Sequence, residues 1–116
     1  MSNTHLDGAV LATLQDVMES EYPALLDTFL ADSEERVRLL RQACQADQAE
    51  NLRRAAHSFK GSCSNMGATL LAGLCQELES VAREEQLAVA PALIESIERE
   101  FAIVGILFRA ERQRYG

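Results

Sequence analysis

The sequence predicts an all-α protein, an antiparallel up-down four-helix bundle with a short additional N-terminal helix. Apolar residues recur at spacings of three and four along most of the 116-residue chain. No segment shows the strict alternation typical of a β-strand. The low aromatic content, 5% with no Trp, fits helices packed by Leu, Ala, Val and Ile. The length indicates a single domain over residues 1–116, with its core at about 7–110.

The first helix is expected to be short and to begin near Asp7, whose carboxylate is suited to cap it. Residues 1–5 are mostly polar and predicted to be flexible, and we assign His5 no function. Pro23 fits the first turn of a second helix, because its missing N–H would have no partner there. That helix should extend to about Ala46, with an apolar side formed by Leu25, Leu26, Phe29, Leu30, Val37, Leu40 and Cys44.

The third helix is expected to start at Asp47, where Glu50 three residues later resembles a capping box. Gly67 follows it, at a position where helices often end in a left-handed glycine. A fourth helix, from about Thr69 to Glu85, packs through Leu70, Leu71, Leu74, Cys75, Leu78 and Val81. Pro91 opens the fifth helix, whose apolar stripe is Ile94, Ile97, Phe101, Val104 and Phe108.

Charge and composition narrow the classes of function. The net charge of -7 argues against nucleic acid or an anionic membrane as the main partner. No apolar stretch approaches the roughly 20 residues of a membrane span, and the N-terminus lacks a signal-peptide pattern. The three cysteines form no CxxC pair and have no metal-site spacing, so they are interpreted as core residues of a reduced compartment. We therefore expect a cytoplasmic protein.

One histidine of the third helix, His57, is predicted to face solvent. On a helical wheel, the apolar side is centred near Leu52 and includes Ala55, Ala56, Phe59, Cys63 and Met66. The other side carries Arg53, His57, Lys60, Gly61 and Ser64. A histidine exposed beside a cation and a glycine suits a reaction better than a core.

The neighbours of His57 suit a phosphorylated imidazole. Gly61 costs about 1 kcal/mol relative to alanine in a helix, and its missing side chain would let a bulky partner approach. Lys60 can place an ammonium beside an anion on the ring, and Ser64 adds a hydroxyl. With Arg53 and Arg54, Lys60 makes this face a basic island that would attract a carboxylate-rich partner. These arguments alone also allow another interpretation, in which Gly61 is merely tolerated and the basic residues form an ordinary solvated helix face.

The same residues carry a resemblance to a known family. The run His57-Ser58-Phe59-Lys60-Gly61, followed by Met66-Gly67-Ala68 and later by Leu78-Glu79, resembles the histidine phosphotransfer (HPt) domain of bacterial two-component multistep phosphorelays. The resemblance implies that His57 accepts a phosphoryl group from the aspartyl phosphate of a receiver domain in a hybrid sensor kinase. It then passes the group to the receiver of a response regulator. By the same resemblance, Lys60 stabilises charge, Gly61 grants access and Ser64 makes a polar contact.

The resemblance also implies what the protein needs from others. Its partners are receiver domains, contacted through a surface that we expect to comprise Arg53, Arg54, Lys60, Gly61 and Ser64. No cofactor or metal of its own is expected, because in the family the magnesium ion belongs to the receiver. The protein would be a monomeric phosphocarrier in signal transduction, without autonomous catalysis. Exposure and the family favour Nε2 as the phosphorylated atom.

The exposed histidine and its basic surroundings raise two other possible functions. A helical adaptor or anti-regulator could bind a partner through the basic third-helix face without phosphoryl chemistry. Metal binding by His57 with Cys63 is disfavoured, because the two lie about 120° apart on the wheel. The sequence has no P-loop, HExxH or Glu-x-x-His motif, and Ser58 stands where sensor-kinase dimerisation domains typically have an acidic residue after the histidine. Autophosphorylation from ATP is therefore not expected.

Overall fold

The computed structural model describes residues 5–115, and all regular structure in them is helical. The α-helices are α1 (Gly8–Met18), α2 (Tyr22–Gln45), α3 (Ala49–Asn65), α4 (Thr69–Arg83) and α5 (Ala90–Gln113). Single 3₁₀ turns at Glu19–Glu21 and Leu87–Val89 precede α2 and α5. The all-α prediction is confirmed, and no strand occurs within these residues. None of their helices combines the length and the apolarity needed to cross a membrane.

The four long helices pack as a ring of neighbours, in which α2 contacts α3, α3 contacts α4, α4 contacts α5, and α5 contacts α2. Their apolar sides meet in one core. Phe59 of α3 and Phe101 of α5 approach across it with ring centroids 6.5 Å apart. The largest fully buried side chains include Tyr22, Leu26, Leu40, Leu52, Phe59, Leu71, Leu78, Ile94, Ile97, Val104 and Phe108. This packing holds α3 along its whole apolar side and leaves its other side accessible.

The N-terminal helix is attached to the turn between α3 and α4. The Asp7 carboxylate accepts hydrogen bonds from the backbone N–H groups of Ala9 and Val10, which confirms the predicted cap. The backbone N–H of Asp7 donates to the carbonyl of Gly67 at 2.8 Å. Gly67 has a φ of 75°, as predicted, and a Cβ there would lie 3.1 Å from both the Asp7 carbonyl oxygen and the Val10 Cβ. Conformation and close approach both require glycine at this position.

His5, to which the sequence assigns no function, makes a defined contact with α5. Its Nδ1 lies 2.6 Å from the Glu100 carboxylate of α5, which is only 5% exposed. A buried carboxylate needs a hydrogen-bonding partner, and His5 provides one from a point 95 residues away in the chain. The remainder of the segment predicted to be flexible, residues 1–4, lies outside the described residues.

The capping box predicted at the start of α3 is wrong. Asp47 has a φ of 57° and belongs to the end of α2, where its N–H donates to the carbonyl of Cys44. The helix begins at Ala49, with Gln48 at the N-cap and no side-chain cap. Glu50, the other half of the predicted box, pairs with an arginine one turn on instead. The left-handed residue that ends α2 therefore occupies the position assigned to the cap.

The buried side of α4 differs from the predicted stripe at its first turn. Leu70 is 43% exposed, whereas the buried residues are Leu71, Ala72, Cys75, Leu78, Glu79 and Ala82. Leu70 lies beside this stripe rather than within it. Cys63 and Cys75 are buried, which confirms their predicted place in the core, whereas Cys44 is only partly buried. A hydrogen bond with Cys75, and then burial, raise the pKa of the Cys63 thiol, so this group stays neutral.

Replacing Gly67 by alanine tests the attachment of α1. We expect Gly67→Ala to destabilise the fold by about 1–3 kcal/mol, because a Cβ is strained at this φ and crowds Asp7 and Val10. Thermal unfolding followed by circular dichroism measures the effect. Gly8→Ala is the matched control, since a Cβ there meets no atom within 4 Å. Equal melting temperatures for the two variants would contradict this account.

Candidate functional site

The exposed imidazole of His57 is placed by the apolar side of α3. Leu52, Ala56, Phe59 and Cys63 are fully buried and fix the helix against the core. The side chain of His57 points to the other side and is 63% exposed, as predicted. Because Cys63 faces the core, it does not share a site with the exposed ring. A partner can therefore reach His57 at a fixed place on a rigid helix.

A carboxylate from the neighbouring helix orients the ring. Glu79 lies on the buried side of α4, is 5% exposed, and points toward α3. One of its oxygens, Oε2, is 2.9 Å from His57 Nδ1 and 3.0 Å from an Arg83 guanidinium nitrogen. Its other oxygen, Oε1, is 3.1 Å from Lys60 Nζ. Three donors from α3 and α4 thus converge on one buried acid.

The charge state of Glu79 decides which ring nitrogen of His57 is available. Burial alone raises the pKa of the Glu79 carboxyl, but hydrogen bonds from Lys60 and His57 outweigh this effect and hold the pKa below its ordinary value. An ionised carboxylate only accepts hydrogen bonds, so Nδ1 of His57 must donate. In the neutral ring, the proton is then on Nδ1 and the lone pair is on Nε2. No other residue of 5–115 hydrogen-bonds to Nε2.

Lys60 lies at the seam between α3 and α4 rather than free in solvent. Its side chain is 29% exposed and its ammonium is paired with Glu79. The ammonium and His57 Nδ1 therefore hold the two oxygens of the same carboxylate, which brings Lys60 and the imidazole together. Lys60 places a positive charge beside the ring and also compensates the burial of Glu79.

Gly61 and Ser64 lie on the exposed side of α3, as predicted. A Cβ built on Gly61 meets no atom within 4 Å, so packing inside this chain does not require glycine there. Ser64 lines a groove of about 380 Å³ between α3 and α4, together with Lys60 and Gln76. A glycine at this position is consistent with a surface that must stay accessible to a partner. Ser64 is more distant from the ring, because it lies two turns from His57 along α3.

The basic island formed by Arg53, Arg54 and Lys60 has less uncompensated positive charge than the sequence indicated. Glu50 lies just before it and pairs with Arg53 at 2.6 Å and with Arg54 at 3.5 Å. Arg83 of α4 enters the same region through its pair with Glu79. Cationic side chains still outnumber the two carboxylates around His57. The region can therefore attract an acidic partner surface, although each of these cations already has an internal contact.

Comparison with known proteins identifies the family. The family model for the Hpt domain matches residues 24–107. The chain belongs to the Hpt family. The crystal structure of histidine-containing phosphotransfer protein B (HptB) from Pseudomonas aeruginosa PAO1 has a TM-score of 0.95 to this structure. It is 67% identical in sequence, over 97% of each chain. None of the curated proteins compared with the chain matches it.

The family assignment gives the general function. The chain is a histidine phosphotransfer protein of two-component phosphorelays. Hpt proteins interact with receiver domains in such relays.

Sequence reasoning missed the role of Glu79. The residue appears in the motif, but the local pattern gave it no function. A usable signal was present, because Glu79 follows Cys75 by four residues and Leu78 by one, on a side of α4 that is otherwise apolar. An acid on such a side must be paired. The cations that pair with Glu79 are determined by how α3 packs against α4. This packing cannot be predicted from the spacing of residues along one helix.

Glu79→Gln tests the charge state of this carboxylate. A carboxyl whose pKa is lowered on folding stabilises the fold above its unfolded pKa, near 4.5, and loses that contribution as the pH falls through the folded pKa. We expect wild type to be more stable than Glu79→Gln at about pH 7, and the difference to shrink below about pH 4.5. Urea unfolding over this pH range measures it. A difference that does not change with pH would contradict an ionised Glu79.

Proposed function

We propose that His57 is the phosphoacceptor of this protein. It receives a phosphoryl group from the aspartyl phosphate of a hybrid sensor kinase receiver and passes it to the receiver of a response regulator. The main support for this proposal is the geometry of the His57 side chain. It is 63% exposed to solvent, and its Nδ1 is hydrogen-bonded to the buried Glu79 carboxylate. The family assignment supports the same residue, because His57 heads the motif that the chain shares with HPt domains.

The chemistry follows from this arrangement. The Nε2 lone pair attacks the phosphorus in line, the N–P bond forms, and the P–O bond to the aspartate breaks as the carboxylate leaves. Nδ1 keeps its proton, so the ring becomes positively charged, and the Glu79 carboxylate stabilises that charge. The reverse sequence delivers the group to the second receiver. The magnesium ion that assists the step belongs to the receiver, and we propose no cofactor or metal for this chain.

The neighbouring residues have proposed roles in the same step. Lys60 offsets negative charge on the transferred oxygens, from a position fixed by its pair with Glu79. Gly61 leaves room for the receiver beside the ring, which is supported by the open space around it. Ser64, Arg53 and Arg54 contribute polar and charged contacts to the docked partner.

The molecule as a whole is proposed to act as a carrier. Its chemistry is completed by the receiver, so it has no autonomous catalysis. Its net charge of -7 supports partners other than nucleic acid or an anionic membrane, and we propose a monomeric cytoplasmic protein. It forms a single HPt domain with a core at about 7–110. The four long helices form an antiparallel up-down bundle preceded by a short helix, which their short connections support.

His57→Gln tests the phosphoacceptor directly. Each receiver domain of a panel is phosphorylated with acetyl phosphate, mixed with the protein, and followed by intact mass. We expect wild type to gain an acid-labile, alkali-stable phosphoryl adduct, and His57→Gln to gain none while keeping its helical content. An adduct on the variant would exclude His57, and wild type without an adduct from any receiver would favour an adaptor role.

Gly61→Leu tests the access that the glycine provides. The variant should fold, because a Cβ at this exposed position meets no atom of the free protein within 4 Å. We nevertheless expect its transfer rate to fall at least about tenfold, because the leucine blocks the receiver. Gly61→Ala should fold slightly more stably and transfer faster than Gly61→Leu. Gly8→Leu is the control for adding leucine in open space. Unimpaired transfer by Gly61→Leu would refute the access argument.

A further inference from the structure

A further cation next to the site, Arg36 of α2, has a guanidinium group that is only partly satisfied within the protein. One of its terminal guanidinium nitrogens donates to the Ser58 hydroxyl of α3. Its Nε is buried and has no hydrogen-bond partner. Among the Lys and Arg residues of the described chain, only Arg36 and Arg99 pair with no carboxylate. Arg99 is exposed on α5, whereas Arg36 is half-buried.

This position is unfavourable for the free protein. A buried guanidinium nitrogen without an acceptor destabilises the free protein, and a neutral hydroxyl compensates a cation less well than a carboxylate does. The chain has 18 acidic residues, and nine of its eleven basic residues find acidic partners. Arg36 is therefore a cation that the fold leaves available for an external anion.

The surroundings of Arg36 continue the surface around His57. Ser58, its hydrogen-bond partner, directly follows His57 on α3. One turn further along α2, Leu39 is 41% exposed and lines a groove of about 350 Å³ between α2 and α3. Arg54 and Ala55 of α3 form the opposite wall of this groove. A partner docked on His57 therefore reaches a cation and an apolar contact on the α2 side of the ring.

We propose that Arg36 binds a carboxylate of the receiver domain docked at His57, while Leu39 packs against an apolar side chain of the same receiver. The proposal rests on the proposed function and adds a residue that determines affinity for the partner. A guanidinium can bind a carboxylate through two parallel hydrogen bonds. A modest rotation of the Arg36 side chain toward the receiver would give Nε the acceptor it lacks. The binding of the partner thus removes a cost that the free protein carries.

Single-turnover phosphotransfer tests this role. A receiver domain that transfers its phosphoryl group to wild type, after phosphorylation with acetyl phosphate, is titrated against Arg36→Met. Methionine retains the apolar stem and removes the charge. We expect the apparent Kd for the receiver to rise about tenfold, with the limiting transfer rate within about twofold of wild type. Arg36→Lys should recover part of the affinity.

Arg99→Met is the matched control, because it also removes an arginine that binds only a serine hydroxyl, and this arginine is exposed on α5, which lies across the core from α3. Its apparent Kd should equal that of wild type. The thermal stability of Arg36→Met should equal or exceed that of wild type, because an unsatisfied buried nitrogen is removed.

Two results would overturn the role of Arg36. They are an unchanged apparent Kd, whatever the limiting rate, or a fall in stability that accounts for the loss of binding. Each is measured with a receiver that transfers to wild type, so the assignment of His57 would stand. Failure of wild type to accept from any receiver would instead contradict the proposed function.

Discussion

The site depends on one buried carboxylate. Glu79 is 5% exposed between α3 and α4, where an unpaired negative charge would be strongly disfavoured. Three donors, from His57, Lys60 and Arg83, satisfy it. Because these donors belong to both helices, the same contacts hold the helices together and orient the imidazole. Ring orientation, tautomer and the position of the neighbouring ammonium therefore share one physical cause.

The rest of the molecule supplies a fixed support and an open approach. The apolar side of α3 is buried against the core, so the backbone that carries His57 cannot shift freely. On the other side of α3, Gly61 adds no side chain that would obstruct a partner. The cations around this side have charges that are only partly compensated. This combination suits a protein that presents a nucleophile and leaves the remainder of the active site to its partner. Arg36, which pairs with no carboxylate in the free protein, is proposed to add to the affinity for this partner.

The sequence predicts the elements well because helix formation and solvent exposure are local properties. Spacing in threes and fours located the helices, and the phase of α3 placed His57 on the exposed side. Contacts between distant segments were not predictable in this way. The sequence predicts a helix cap at Asp47, whereas the role of this residue in ending α2 depends on a left-handed backbone, which spacing does not reveal. The pairs made by His5 with Glu100 and by His57 with Glu79 depend on tertiary packing.

We propose that Glu79 places the proton of the neutral His57 ring on Nδ1 and leaves Nε2 as the nucleophile. Long-range ¹H–¹⁵N NMR of the imidazole, at a pH where the ring is neutral, measures this tautomer directly. We expect the Nδ1–H form in wild type and a larger fraction of the Nε2–H form in Glu79→Gln. A wild-type ring that is mainly Nε2–H, or a tautomer unaffected by Glu79→Gln, would contradict it.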